Sequence, residues 1–287
     1  MRERLSVLAR ITLFLRELLH IRDVRDTGIF LRFTRLFDYV HVLVLIFPLI
    51  LLISPADLFS SKTVLVFFAN LCLTAFGYMY NDLEDAEDDY HDVEKRERNP
   101  VSSGEISRRQ SYFFNLVLVS AGLYLFSLIS PLLLVLGGVF TLVGFVYSWR
   151  TLRLKSRPIL DLVSHVIFLG AFQFLTTYAT FRPLDLSVIP FLMIVVPFSL
   201  MNEVIHEMKD FHIDKHTEIK NTVQRFEGFD ITKLLIAIVA VIVVGSAVIV
   251  YTIRPEQRIA SLTISLLLGV PAIYRMNARV SRIAQAS

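Results

Sequence analysis

Cysteine is nearly absent: Cys72 is the single one in 287 residues. One thiol excludes an intrachain disulfide and any zinc site built on paired cysteines. Cys72 lies in an apolar run, where a packing role is expected. Histidine is scarce as well, at seven, which turns attention from nitrogen and sulfur ligands to oxygen. Charge is also short, with 19% of residues charged against 54% hydrophobic, and mean hydropathy is +0.59. Soluble domains of this length do not have that balance. A cleavable signal peptide is not expected at the N-terminus. The stretch "LSVLARITLFLRELLHI" there is broken by Arg10 and Arg16, so an amphipathic surface helix within residues 1–36 is expected instead.

What is abundant is long apolar runs. Stretches of about 18 or more apolar residues read as bilayer-spanning helices. Eight are expected, over about residues 37–54, 63–81, 112–129, 131–148, 160–180, 186–206, 231–252 and 258–275. Pro131, Pro183, Pro190 and Pro255 fall at helix starts or turns, where a missing N–H costs little. Between the spans, Lys and Arg are distributed on one side. Residues 1–36, 82–111, 149–159 and 207–230 and the C-terminal tail hold twenty-four of them, and the alternate loops hold four: Lys62, Arg182, Arg254 and Arg258. By the positive-inside rule both termini and the acidic loops face the cytoplasm. The basic clustering thus reports topology and not nucleic-acid binding. A prokaryotic plasma membrane is the expected location. The fold expected is all-α: a polytopic membrane helical bundle, with residues 37–287 as one transmembrane domain.

Acidic residues are concentrated where two spans end. In "NDLEDAEDD", residues 81–89, six of nine side chains are carboxylates. Residues four apart share a helix face, so Asn81, Asp85 and Asp89 form one stripe of oxygen ligands. Glu203, Glu207, Asp210 and Asp214 form a second. Asp85 to Asp210 and Asp89 to Asp214 are both 125 residues apart, which fits two pseudo-repeat halves, 37–148 and 160–275. Oxygen ligands with no thiolate favour Mg²⁺ over Zn²⁺. Asp82, Glu84, Glu87 and Asp88 point off the first stripe and are expected to be solvated loop charges, with Asp82 also a candidate to orient a partner.

Bases follow each cluster: Lys95, Arg96 and Arg98, then Arg153 and Lys155, then Lys215 and Lys220. Metal-bridged carboxylates together with Lys and Arg can hold a diphosphate, although topology alone would also place bases here. The spans carry many of the 23 Phe and 10 Tyr. Most serve packing, but an aromatic-lined pocket suits a polyisoprenoid tail and a carbocation.

At these residues the sequence resembles the UbiA superfamily of intramembrane prenyltransferases. "NDLEDAEDD" is similar to the family's N-D-x-x-D-x-x-x-D motif, and "DFHID" to its D-x-x-x-D motif. "YSWRTLRLKSRPILD" resembles its Tyr-Ser segment, with Tyr147, Arg153 and Lys155. "NPVSSGEIS" resembles the stretch after the first motif, with Asn99 where the family usually has Arg. The resemblance implies helices, usually nine, around a central cavity open to the bilayer. Asn81, Asp85 and Asp89 would hold one Mg²⁺, and Asp210 and Asp214 a second. Lys95, Arg96, Arg98, Arg153, Lys155 and Lys215 would bind diphosphate, Arg96 or Arg98 standing in at the Asn99 position. Asp85, Asp210, Lys155 and Tyr147 would carry catalysis.

The function so implied is transfer of a prenyl group from a polyprenyl diphosphate donor to a lipophilic acceptor among membrane lipid, with no nucleic-acid partner. A terpene cyclase of the same superfamily would use the same acids. A cation transporter is a third reading, and it would place its acids near mid-span.

Overall fold

The computed structural model describes residues 32–214, 222–225 and 231–252, and every regular element among them is helical. In chain order the helices are α1 (Leu36–Leu43), α2 (Ile46–Ile53), α3 (Ser61–Asp89), α4 (Val93–Arg98), α5 (Arg108–Ser127), α6 (Pro131–Ser148), α7 (Leu160–Phe181), α8 (Ile189–Asp214), α9 (Thr222–Arg225) and α10 (Ile231–Thr252). Local chemistry fixes several starts. Ser60 accepts the Thr63 N–H at the head of α3, Ser107 and Gln110 form a capping box on α5, and Ser130 caps α6 with Pro131 at its first position.

Four stretches are long and apolar enough to cross a bilayer: Ser61–Asp89, Pro131–Ser148, Leu160–Phe181 and Leu186–Ile205. They match four of the eight expected spans. α5 covers a fifth at 20 residues, with Gln110 and Asn115 diluting its apolar content, and α10 a sixth. The expected span at 258–275 and the N-terminal segment up to residue 31 lie outside the described residues. The first expected span, 37–54, is not continuous: α1 and α2 have eight residues each. Pro48 is the reason. In an unbroken helix its ring would press on the Val44 carbonyl and donate nothing to it, so the chain breaks at Val44–Leu45. Buried Gln173 of α7 donates to the Val42 carbonyl beside this break (2.9 Å).

α3 is the axis of the described bundle. It packs along α5 and against α6, α7 and α1, while α8 packs against α7 and α10. The junction of α3, α6 and α7 is built around Phe168, in a π-helical stretch of α7 from Val166 to Phe172. Phe140 packs against it with ring centroids 4.7 Å apart. A Cβ at Gly77 of α3 or Gly144 of α6 would run into the Phe168 ring, whereas one at Gly138 meets nothing within 4 Å. Gly77→Val is therefore expected to lose about 1–3 kcal/mol through overpacking, read as a lowered unfolding temperature in detergent. Gly138→Ala, on an open helix face, should be neutral or slightly stabilising.

Candidate active site

α3 explains why a dense negative patch adjoins an apolar helix. Its 29 residues make about 43 Å of helix at 1.5 Å per residue, against a hydrocarbon core of about 30 Å. If Ser61 stands at one boundary, the core ends near Tyr80, and Asn81 to Asp89 extend beyond it as two further turns. The acids are therefore helical, with fixed directions, and not a loop.

The stripe and the 149–159 loop are locked together. Ser148, the last residue of α6, donates to Asn81 Oδ1 at 3.0 Å. Lys155 Nζ donates to the same oxygen at 2.7 Å and pairs with Asp85 Oδ2. Asn81 Nδ2 also donates to Asp85 Oδ2, at 3.1 Å. Arg153 Nη2 reaches Asp85 Oδ1 at 3.0 Å and Asp88 Oδ2 at 2.6 Å. The Asp85, Lys155 and Arg153 side chains are 16%, 14% and 23% exposed, so water screens them less than surface pairs. Arg153 sits at φ 41° and Ile159 at φ 72°. A β-branched residue at positive φ is uncommon, and the Ile159 N–H is held by Thr222 Oγ1 at 2.6 Å.

Asp89 is held from the other side. Asn99, 1% exposed, donates to Asp89 Oδ2 at 2.9 Å and to the Asp82 carbonyl at 2.7 Å. Its Oδ1 accepts the N–H groups of Val101 and Ser102. The expected stand-ins differ in placement. Arg96 lies over the Tyr90 ring at 5.5 Å and Arg98 is exposed. Neither hydrogen-bonds the stripe among the described residues. Lys95 is half-buried, with its field reaching Asp89.

The off-stripe acids need correction. Asp82 is no solvated charge: it is 3% exposed and pairs with Arg35 at 3.3 Å. Arg35 also binds Asp38 at 2.6 Å and lies 5.0 Å over the Tyr78 ring. Burial works against the Arg35 charge, but Asp82 and Asp38 outweigh it and its pKa lies above the ordinary arginine value. Glu87 and Asp88 are exposed as expected, yet both pair with Arg150, and the Arg150 N–H donates to Glu84 at 3.1 Å. In the sequence Arg150 carries no signal beyond its place in the basic loop 149–159.

The second stripe lies on α8. Glu203 and Glu207 are buried, and Glu203 pairs with His165 of α7 at 2.8 Å. Asp210 and Asp214 fall in the last turns of α8, but their side chains, and Lys215 with Lys220, lie outside the described residues. Tyr147 is half-buried one residue before Ser148. It directly precedes the residue whose hydroxyl holds Asn81, so the Tyr-Ser pair ends α6 beside the first stripe. Buried Asp161 accepts the Thr222 N–H at 2.6 Å and its hydroxyl, tying the segment after α8 to the start of α7.

Among the described residues no three His, Cys, Asp or Glu side chains converge as a metal site. The first stripe instead offers two carboxylates and a carboxamide on one helix face. That donor set fits Mg²⁺, which takes one or two carboxylates and completes its shell with water and phosphate oxygens. The bases beside it suit an anion such as a diphosphate.

The sequence profile of the UbiA prenyltransferase family matches residues 42–286. The fold is similar to that of a UbiA homolog from Archaeoglobus fulgidus solved with GPP and Mg²⁺, at TM-score 0.68 and 22% identity over 85% of this chain and 86% of that one. It is similar to an apo UbiA homolog from Aeropyrum pernix K1, at 0.66 and 16% over 85% and 91%. A digeranylgeranylglyceryl phosphate synthase also matches, at 0.61 and 18% over 90% and 87%. The sequence matches no curated protein.

Proposed function

The chain belongs to the UbiA prenyltransferase family, and from that premise we propose that it ionises a polyprenyl diphosphate and transfers the prenyl group to a lipophilic acceptor within the membrane. One observation carries this reading. Lys155 and Arg153 are clamped onto the Asn81–Asp85 stripe at the polar end of the apolar helix α3. Such a surface binds an anionic head whose tail continues into the bilayer. The relatives solved with GPP or DMAPP and Mg²⁺ support the same ligand class for this chain.

In this proposal Asn81, Asp85 and Asp89 hold one Mg²⁺, and Asp210 and Asp214 a second. When bound, the metal neutralises diphosphate charge and so assists its departure. Lys155 and Arg153 bind the phosphoryl oxygens, with Lys95 and Lys215 adding positive field. Arg96 and Arg98 serve the approach of the head. Tyr147 stands beside the reacting end, where its ring face and hydroxyl can meet a developing allylic cation. The C1–O bond of the donor breaks with its electron pair leaving on diphosphate. An electron pair of the acceptor forms the new bond to C1, and the acceptor loses its proton.

The test is turnover by purified protein in nanodiscs, with Mg²⁺ and prenyl diphosphates of graded length, alongside mass spectrometry of co-purified lipids. Diphosphate release coupled to a prenylated lipid is expected. A cyclic hydrocarbon from the donor alone would identify a cyclase and refute the transferase. Mg²⁺ uptake into proteoliposomes without any prenyl turnover would refute both.

A further inference from the structure

We propose that Asn99 is a positioning residue for the acidic stripe: its buried carboxamide holds the Asp89 carboxylate in the orientation that receives a divalent cation. The inference rests on the reading that Asp89 is a metal ligand.

The carboxamide has two N–H donors and an oxygen that accepts two bonds, and all four capacities are used. One N–H goes to Asp89 Oδ2 (2.9 Å) and the other to the Asp82 carbonyl (2.7 Å). The oxygen takes the Val101 and Ser102 N–H groups at 3.0 and 3.2 Å. The oxygen end thus anchors Asn99 to the loop before α5, and the nitrogen end grips the last turns of α3. Ser103 N–H, bonded to the Asn99 carbonyl at 3.0 Å, closes the same turn. At 1% exposure the group has no water to move into, so the Asp89 carboxylate has one oxygen fixed.

That matters because Asp89 ends α3. The next residue, Tyr90, is the helix C-cap, and a side chain on a terminal turn keeps more freedom than one flanked by helix on both sides. Asp85, one turn earlier, is restrained by Lys155, Arg153 and Asn81. Asn99 is the corresponding restraint on Asp89, and unlike a base it adds no charge. A carboxamide orients one oxygen and leaves the negative charge for a metal, as groups behind metal ligands commonly do.

Two variants separate positioning from anchoring. Asn99→Ser keeps a hydroxyl oxygen for the Val101 and Ser102 N–H groups but is too short to reach Asp89 and Asp82. Asn99→Ala loses everything. Mg²⁺ alone is the probe, titrated against the unfolding temperature of the full chain in detergent and by calorimetry, with Asp89→Asn as reference. The expected result is Mg²⁺ binding weakened about tenfold or more in both Asn99 variants, as is usual for groups behind metal ligands. The unfolding temperature without metal should fall less in Asn99→Ser, which keeps the turn, than in Asn99→Ala. Unchanged Mg²⁺ affinity in Asn99→Ala or in Asn99→Ser would overturn the proposal and leave Asn99 as a loop anchor. Failure of the prenyltransferase reading looks different: wild-type protein then turns over no donor, whatever its Mg²⁺ affinity.

Discussion

Asp85→Ala is expected to remove prenyl transfer, lowering kcat by a factor on the order of 10³ with the helices intact. Loss of one preorganised electrostatic group at a reacting centre costs about 10²–10³, and Asp85 serves more than one purpose. It carries negative charge for a cation, and its two oxygens separately hold Lys155 and Arg153. A thousandfold loss is about 4 kcal/mol of transition-state stabilisation. The structure also predicts how the loss divides. Without Asp85, Lys155 loses its carboxylate partner and Arg153 keeps only Asp88, so affinity for the anionic donor should survive while turnover falls. The measurement is kcat and KM from diphosphate release, with donor binding followed separately. Asp85→Asn keeps the shape and loses the charge, so it should be nearly as inactive. Wild-type rates in either variant would refute the site.

Lys155→Met is the second large effect, expected to lower kcat/KM about 10²–10³-fold. Here the loss should fall on donor binding as well as on turnover. Lys155 arises from a short 3-10 turn, Leu154–Ser156, just after the positive-φ residue Arg153, and its ammonium contacts both Asn81 and Asp85. In the protein without donor its removal leaves Asp85 balanced by Arg153 alone. The variant should then be less stable without metal and gain more unfolding temperature from Mg²⁺ than wild type does. A point charge and a planar fork are not interchangeable, so Lys155→Arg should recover only part of the activity. A Lys155→Met enzyme with wild-type kcat/KM would show that the base serves topology only.

Both variants test residues that were legible before any coordinates. Spacing of four along a helix put Asn81, Asp85 and Asp89 on one face, and that survives because α3 is unbroken from Ser61 to Asp89. The positive-inside pattern located Arg153 and Lys155 on the side of the acids. Other features were not legible, for identifiable reasons. The break between α1 and α2 follows from Pro48, whose effect falls on the carbonyl four residues earlier and is hidden by continuous apolar composition. Asp82 looks like its acidic neighbours in the string and differs only because Arg35 folds back against it. Ser148, Arg150 and His165 acquire meaning from partners 67, 63 and 38 residues away in the chain: Asn81, Glu87 and Glu203.

The sequence by itself determined the solvent, the helical class and the identity of the acid stripes. These depend on composition and on periodicity within one element, which are local properties. Only the tertiary structure decided which charges meet. Pairing across α3, the loop after α6 and the loop before α5 depends on how helices of different length end relative to one another. Asn99 shows the difference most clearly. As a letter it is one polar residue closing a run of charged ones, Lys95 to Arg98. In the fold it is a buried carboxamide with every hydrogen bond used, one of them on Asp89.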